Sequence, residues 1–335
     1  MNNAVVLSIT ESSQAGEARR IALALASRLS FNETDRGKVG IVVTEVANNL
    51  VQHARDGVLL LQEIAQNNQA GIEIISLDQG PGITNISECL RDGFSTKSTP
   101  GNGLGAILRL STRFEIHSTP EQGTAVLAQI WANSLLPSPS KDKLELSAIC
   151  VPIKGELVSG DTWASANIGD RNLILVVDGL GHGPMAAEAA SVAVRVFRDE
   201  VHRSPKEIVE AMHGAMRSTR GAALAIAQIN LEQQTVCFVG VGNIAATIHS
   251  SAGNSRMVSH NGTVGHEVRK IQEFTYPWHR EGILIMHSDG LGTHWTVERY
   301  AGLAAKHPSL IAGILYRDFN RGRDDVTVLV AREDN

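Results

Sequence analysis

The sequence has few cysteines, no long apolar run and no long basic run, and each shortage excludes a class of protein. Its 335 residues contain three cysteines, at positions 89, 150 and 237, whose spacings support neither a disulfide framework nor a zinc site. No stretch approaches the ~20 apolar residues that span a bilayer, so we expect no membrane association. A net charge of −5 argues against nucleic acid as a partner. With no signal peptide at its start, the chain is predicted to be cytoplasmic.

The length and the 43% apolar fraction fit two folded domains. The stretch 133–143 has two prolines, three serines and mixed charge, which is typical of a linker. We therefore predict domains at 1–133 and 145–335, joined by a linker at 134–144. Helices grouped between blocks of strands predict an α+β fold with layered sheets, and they argue against a doubly wound sheet.

A predicted helix from Asp35 to Ala54 separates an apolar from a polar face. Glu45 and Asn49 lie one turn apart on the polar face, in a run that also has Asn48. Such a pair is most often a solvated surface. Two asparagines inside a helix are poor helix formers, however, which favours a site.

A second motif follows an apolar strand that ends in Asp78-Gln-Gly80-Pro-Gly82. A carboxylate at the end of a buried strand needs a donor, and the exocyclic amine of adenine would serve. The glycines would let the backbone approach a flat ring. An ordinary turn after a strand is an equally good interpretation of this motif alone.

A third motif is a loop rich in glycine and hydroxyl groups that runs into an apolar helix. It contains Lys97, Gly101, Gly103 and Gly105, and amides at such a helix start bind phosphate. In this order the three motifs make residues 1–133 resemble the GHKL ATP-binding (Bergerat) α/β sandwich. The nearest members are the anti-sigma-factor and switch serine kinases of the RsbW and RsbT type.

The resemblance implies roles for these residues. Asn49 would coordinate magnesium on ATP, Asp78 would read adenine and Glu45 would be the base that deprotonates a protein serine or a water. The remaining nucleotide-binding positions are Gly80, Gly82, Lys97, Gly101, Gly103 and Gly105.

In the second half, three predicted strands carry acids at their ends: Asp178, Asp289, and the pair Asp324 and Asp325; a further acid, Asp161, comes just after a strand-like stretch. One such acid is usually a turn residue, but four form a cluster that would repel itself unless hard cations neutralise it. All-oxygen ligands favour magnesium or manganese over zinc. Two such ions are the usual apparatus for hydrolysing a phosphate ester.

Residues 145–335 resemble the PPM-type serine/threonine phosphatases of the SpoIIE and RsbX branch, a β-sandwich flanked by helices. The matching pieces are Ser-Gly-Asp161, Asp178-Gly-Leu-Gly-His-Gly183, Gly240-Val-Gly-Asn243, Ser-Asp289-Gly and Asp324-Asp325-Val-Thr. The resemblance implies two manganese or magnesium ions held by Asp161, Asp178, the Gly179 carbonyl, Asp289 and Asp324, with Asp325 as the alternate. Asp178 would bridge the ions, and hydrolysis would depend on Asp178 and Asp289.

Two further positions are open. His182 either protonates the leaving group or holds its loop, and the loop-holding role is favoured. Ala164 stands where many relatives carry an aspartate, which implies a missing contact around one metal.

Together the resemblances imply a bifunctional signalling protein that acts on a phosphorylated Ser/Thr protein, such as a STAS-domain antagonist or a stressosome-like component. Alternatively, the front domain only docks a partner or senses nucleotide, without kinase activity. The sequence leaves the oligomeric state open, and a homodimer is compatible with it.

Overall fold

The structure, a computed structural model, describes residues 3–66, 69–90, 103–132 and 144–334. The chain forms two compact units. The front unit contains Ala4–Lys141 and Glu298–Arg317, and the rear unit contains Met1–Asn3, Asp142–Val297 and Asp318–Asn335. None of the helices in the described part of the chain combines the length and apolar character that a bilayer crossing needs.

The front unit is built on an antiparallel sheet with helices on one face. Its strands are β1 (Val5–Ser8), β2 (Val58–Gln66), β3 (Gln69–Leu77), β4 (Arg113–Ser118) and β5 (Thr124–Trp131), in the order β1-β2-β3-β5-β4. The helices are α1 (Ser12–Arg28), α2 (Glu33–His53), the short α3 (Ile86–Cys89) and α4 (Gly103–Leu110). The predicted closing hairpin is confirmed by β4 and β5.

Helix α2 forms because its start is capped and one face is apolar. The Asn32 side chain accepts a hydrogen bond from the Asp35 amide at 2.8 Å, which satisfies one of the unpaired amides of the first turn. The buried stripe consists of Val39, Val42, Val43, Val46, Ala47 and Leu50. It packs with α1 and with one face of the sheet, leaving Glu45 and Asn49 half-buried on another side.

The other face of this sheet, which we call the outer face, is buried as well. Strand residues alternate between faces, so Ile72 and Ile74 point to the helices while Glu73 and Ile75 point to the outer face. Leu60, Ile75 and Leu127 on that face are fully buried. A buried outer face requires a second covering layer.

The rear unit is a sandwich of two sheets. The strands are β6 (Leu144–Val151), β7 (Asp161–Ile168), β8 (Arg171–Gly179), β9 (Ala222–Asn230), β10 (Thr235–Val241), β11 (Ala245–Ser250), β12 (Gly253–Arg256), β13 (Ser259–His260), β14 (Phe274–Pro277), β15 (Ile283–His287) and β16 (Val326–Glu333). One sheet runs β13-β10-β9-β8-β7 with β14 beside β10, and the other runs β12-β11-β15-β16-β6.

Two cores hold the rear unit together. Between the sheets lie Trp278, Phe238, Ile174 and Leu329. Helices α5 (Pro184–Asp199) and α6 (Pro205–Ala215) pack on the β7–β10 sheet through a second core that includes Phe197. Sheets and helices in separate layers confirm the α+β prediction.

One helix was not predicted from the sequence. Helix α7 (Pro308–Phe319) follows two 3-10 turns, Val297–Arg299 and Leu303–Ala305. Every residue of α7 from Pro308 to Tyr316 is buried. Most of α7 belongs by its contacts to the front unit, although its sequence lies within the domain predicted at 145–335.

Candidate functional site

Helices α2 and α4 bring three of the predicted nucleotide-binding residues together. A Cβ atom added at Gly103 would lie 3.1 Å from Glu45 Oε2 and 3.4 Å from Asn49 Oδ1. The start of α4 therefore lies directly against the polar pair on α2. Gly105, two residues further into α4, is buried. Lys97 and Gly101 lie outside the described residues, so their roles stay predictions.

Asp78 follows β3, and its carboxylate is held by the backbone of the next turn. The Gly80 amide donates to Asp78 Oδ1 at 2.7 Å. A side chain at Gly80 would crowd Asp78 Oδ1 and the His53 carbonyl oxygen, each 2.8 Å from a Cβ. Gly82 has φ +73°, and a Cβ there would overlap the Thr119 carbonyl oxygen. Both glycines are therefore required by the turn.

Partial burial raises the pKa of Asp78, while the Gly80 amide and, more weakly, Arg317 oppose that shift. An ionised carboxylate can only accept hydrogen bonds, which is what recognition of an amine requires.

Two residues near Asp78 were missed by sequence reasoning. Gly123 has φ +78°, and a Cβ there would overlap the Asp78 carbonyl oxygen. Arg317 Nη1 donates to that same oxygen at 2.8 Å. The turn at Glu121-Gln-Gly123 was a usable signal for the glycine. Nothing local marked Arg317, because it lies 239 residues away in sequence.

In the rear unit, two of the predicted acids are cross-strand neighbours. Asp161 begins β7 and pairs with Asp178 near the end of β8. Asp161 is 1% exposed, and its Oδ2 accepts a hydrogen bond from Ser288 Oγ at 2.5 Å. Ser288 Oγ also accepts from the Thr327 amide at 2.9 Å. Ser288 thus joins the strand ends that carry Asp161 and Asp289.

Asn243 connects two more acids. Its Nδ2 donates to Asp289 Oδ2 at 2.7 Å, and its side chain also hydrogen-bonds Asp178. Asn243 lies just before β11, in the Gly240-Val-Gly-Asn243 turn. Asp178, Asp289 and Asn243 therefore meet at one edge of the sandwich.

The last two acids differ in what they contact. Both carboxylate oxygens of Asp325 accept backbone amides, Oδ1 from Ile153 and Oδ2 from Gly160, each at 2.6 Å. Asp324 Oδ1 accepts only the neighbouring Asp325 amide, at 2.9 Å. This difference favours Asp324 as a metal ligand and Asp325 as a residue that ties loops together.

The acids are close enough for their charges to raise one another's pKa values. Burial, then the charges of Asp289 and Asp324, raises the pKa of Asp178 to about 7. Burial and the charge of Asp178 raise the pKa of Asp161 well above its ordinary value. Groups that repel one another in this way favour a nearby cation.

Within the described ranges, no three Asp, Glu, His or Cys side chains close round one point as a finished metal cage would. The acids instead hold protein donors: Ser288 on Asp161, Asn243 on Asp289, and two amides on Asp325. The chemistry of the set still fits hard divalent ions, because the acids offer carboxylate oxygens and Asn243 adds an amide oxygen. Packing requires a glycine at position 179, since a Cβ there would overlap the Ala186 carbonyl oxygen.

The structure shows what surrounds His182 and Ala164, the two positions whose roles the sequence left open. His182 Nδ1 lies 2.9 Å from Glu156 Oε1, a contact that holds the loop after Asp178. Ala164 is buried among Leu175, Ala189 and Phe197, in the core beneath α5. An alanine there fills an apolar site; the predicted loss of a contact around one metal stays a prediction.

A cavity of about 770 Å³ adjoins the loop that follows Asp178. Its lining includes Leu180, Gly181, Met185 and Arg220. Leu180 and Met185 are 55% and 53% exposed, which is unusual for large apolar side chains. An exposed arginine and two exposed apolar groups thus line a cavity at the loop that follows Asp178.

Two family models match the chain. Residues 10–130 match the histidine kinase-like ATPase domain, and residues 169–334 match the Stage II sporulation protein E (SpoIIE) family. The chain is a fusion of these two domains. Its rear domain is homologous to serine/threonine phosphatases of the PPM type, and its front domain is homologous to the RsbT kinase.

Two curated relatives align with one half each. The serine/threonine-protein kinase RsbT of Bacillus subtilis (strain 168) is 33% identical over 114 residues, 34% of this chain and 86% of RsbT. The phosphoserine phosphatase RsbX of the same organism is 29% identical over 140 residues, 41% of this chain and 70% of RsbX.

Solved structures support the same fold. A chain from work on the bacterial stressosome, as a modular system adapted to control secondary messenger signalling, is 26% identical with a TM-score of 0.54. The match covers 57% of this chain and 100% of that one. RsbX in complex with magnesium gives 21% identity and a TM-score of 0.53, over 60% of this chain and 100% of RsbX.

Proposed function

We propose that the rear domain removes phosphate from serine or threonine on a partner protein, and that the front domain binds Mg-ATP and phosphorylates the same class of partner. The observation that carries the phosphatase half is that Ser288 binds Asp161, Asn243 binds both Asp178 and Asp289, and the charge of Asp324 acts on Asp178. No local rule of strand pairing brings Asp161 and Asp289, which lie in different sheets or at their edges, to one place.

Two manganese or magnesium ions held by Asp161, Asp178, Asp289, Asp324 and the Gly179 carbonyl would neutralise phosphoryl charge and acidify a water. Asn243 keeps Asp178 and Asp289 at a fixed separation. Arg220, in the lining of the cavity, would bind the phosphate of the incoming residue by charge-assisted hydrogen bonds. The exposed Leu180 and Met185 would contact apolar side chains that flank it.

In the front domain, Glu45 is the proposed base that accepts the proton of a substrate serine. Asn49 would hold the magnesium of ATP, and the amides at the start of α4 would hold its phosphates. The contact of Gly103 with both side chains supports this arrangement. The relatives' names, a kinase and a phosphoserine phosphatase, support a shared phosphoprotein partner, for which a STAS-domain antagonist in the cytoplasm is our specific proposal.

The phosphatase proposal is tested by manganese-dependent hydrolysis of para-nitrophenyl phosphate. Activity should disappear in Asp178→Asn and in Asp289→Asn. Asp170→Asn, on the exposed turn between β7 and β8, is the matched control and should keep wild-type activity. Manganese-dependent activity that survives in both site variants would refute the assignment.

The kinase proposal is tested with labelled ATP and purified STAS-domain proteins. We expect transfer to serine by the wild type and none by Glu45→Gln, with nucleotide binding retained in both. Binding without transfer by the wild type would instead favour the second candidate function, a module that docks a partner or senses nucleotide.

A further inference from the structure

The segment from Glu298 to Arg317, called the 298–317 segment below, falls in the rear domain by sequence but in the front unit by its contacts. It lies inside the 169–334 match to the SpoIIE family. Its contacts nevertheless group it with the front unit. A stretch of the phosphatase sequence is therefore built into the compact unit that carries the nucleotide-binding motifs.

The firmest attachment is a buried polar row on the outer face of the front sheet. Gln62, Glu73 and Gln129 are direct neighbours across β2, β3 and β5. Both glutamine amides donate to Glu73, at 2.7 and 2.6 Å. Ser309 Oγ, on α7, provides a third donor at 2.7 Å. Glu73 is 1% exposed and Ser309 is fully buried, so water does not compete for this contact.

Two more hydrogen bonds fix the segment along β4. The His307 amide donates to Glu115 Oε2 at 3.0 Å. His117 Nε2 lies 3.1 Å from the Ala301 carbonyl oxygen. Residues 301, 307 and 309 are thus tied in turn to the sheet, which fixes the start of α7 on the outer face.

The C-terminal turn of α7 reaches the nucleotide motif. Arg317 Nη1 donates to the Asp78 carbonyl oxygen at 2.8 Å. That oxygen is also the atom against which Gly123 packs. The backbone of Asp78 is therefore held between a glycine turn and a cation from the 298–317 segment, while its carboxylate is held by Gly80.

We propose that the 298–317 segment is an intrachain partner of the outer face and that Arg317 is a positioning residue for nucleotide binding. It acts by fixing the backbone from which the Asp78 carboxylate projects. This inference rests on the proposed nucleotide site. It also has a consequence for the rear domain, because the chain runs from Arg317 through only six residues to Asp324. Binding at one site should then change affinity at the other by the same factor.

The test uses the full-length chain, with mant-ADP and magnesium as the probe for the front site. Arg317→Met keeps the aliphatic stem but removes the donor, and we expect it to weaken mant-ADP binding about tenfold, the lower end of what the loss of one charge-assisted hydrogen bond produces. Arg317→Lys should restore most of the affinity, since the carbonyl oxygen takes one donor. Arg299→Ala, an exposed arginine in the same segment, is the matched control and should bind like wild type.

A second measurement separates positioning from general stability. Saturating ADP should change the manganese concentration for half-maximal para-nitrophenyl phosphate hydrolysis in the wild type, and it should have no such effect in Arg317→Met. Equal mant-ADP affinities for wild type, Arg317→Met and Arg317→Lys would overturn the inference alone. A wild type that binds no mant-ADP would overturn the nucleotide site itself, and the inference with it.

Discussion

Ser288 allows a quantitative test of how the acid cluster is held together. This residue is fully buried directly before Asp289, and its hydroxyl makes two contacts. It donates to Asp161 Oδ2 at 2.5 Å and accepts from the Thr327 amide at 2.9 Å. Ser288→Ala removes both, leaving a buried carboxylate without this donor and the Thr327 amide without its acceptor.

The expected cost follows from the burial of these groups. A hydrogen bond to a charged group contributes ~1.5–3 kcal/mol, and an unsatisfied buried donor adds a penalty of similar size. Partial relaxation reduces the sum, so we expect a loss of about 2–3 kcal/mol. A loss of 1 kcal/mol lowers the Tm of a domain of 150–250 residues by ~2–4 °C. The rear unit should therefore unfold roughly 4–12 °C earlier in Ser288→Ala.

Differential scanning calorimetry of the full chain would measure this shift, with the rear transition recognised by its response to manganese. Ser251→Ala is the matched control, because Ser251 Oγ also donates to a carboxylate, Glu281 Oε1 at 2.6 Å, but on the surface. Exposed contacts contribute little, so this variant should unfold like wild type. Equal shifts in the two variants would refute the reasoning that burial makes the Ser288 contact important.

Three further predictions concern the cavity beside Arg220, the turn that holds Asp78, and the outer face of the front sheet. Arg220→Ala should raise the KM for a phosphoprotein about tenfold with little change in kcat, as measured by phosphate release, because it removes ground-state binding; a change in kcat alone would contradict this. Gly123→Ala should weaken mant-ADP binding at least as much as Arg317→Met, since its Cβ would displace the Asp78 carbonyl. Burial raises the pKa of Glu73 above 4.5, against donors including Ser309 and the charge of Arg113. The stability that this raised pKa contributes belongs to the protonated side chain. It is therefore fully present below pH 4.5 and is lost as pH rises through the folded-state pKa. The Tm of wild type relative to Glu73→Gln should therefore fall with rising pH, and a constant difference would argue against an ionisable buried Glu73.

The features of both sites that depend on residues close in sequence could be predicted from the sequence. The apolar stripe of α2 and the glycines at 80, 82 and 103 follow from spacing, because each depends on neighbours within a few residues. The acids after or before strands were visible in the same way. Their convergence was implied by family resemblance, since no local rule brings Asp161 and Asp289 to one edge.

What the sequence did not yield depends on contacts between distant segments. Ser288 and Arg317 carry no motif, and their roles exist only because Asp161 and Asp78 lie beside them. Helix α7 was missed because a short apolar run does not distinguish helix from strand by periodicity. One signal was available: β3 reads as Ile-Glu-Ile-Ile-Ser-Leu, apolar on both faces, which predicts a sheet covered on both sides.

That two-sided burial leads to a prediction about where the chain can be divided. A fragment that ends at Lys141 keeps every strand of the front sheet but lacks the 298–317 segment. Leu60, Ile75 and Leu127, all fully buried in the intact chain, would then be exposed on one contiguous face, together with the row around Glu73. Exposed apolar patches of this kind bind hydrophobic dyes and promote association.

We expect this fragment to bind anilinonaphthalene sulfonate and to self-associate in light scattering, whereas the full chain does neither. The same fragment with Ile75→Thr and Leu127→Thr is the control, because both changes fall on the outer face and keep β-branched or strand-compatible side chains. It should lose most of the dye binding. A monodisperse, dye-free fragment without these changes would mean that the 298–317 segment is dispensable for covering the sheet. If the expected result holds, the predicted linker at 134–144 separates the two domains in sequence but not in folding. The front unit is then complete only once the 298–317 segment, which follows most of the phosphatase sequence, has been added.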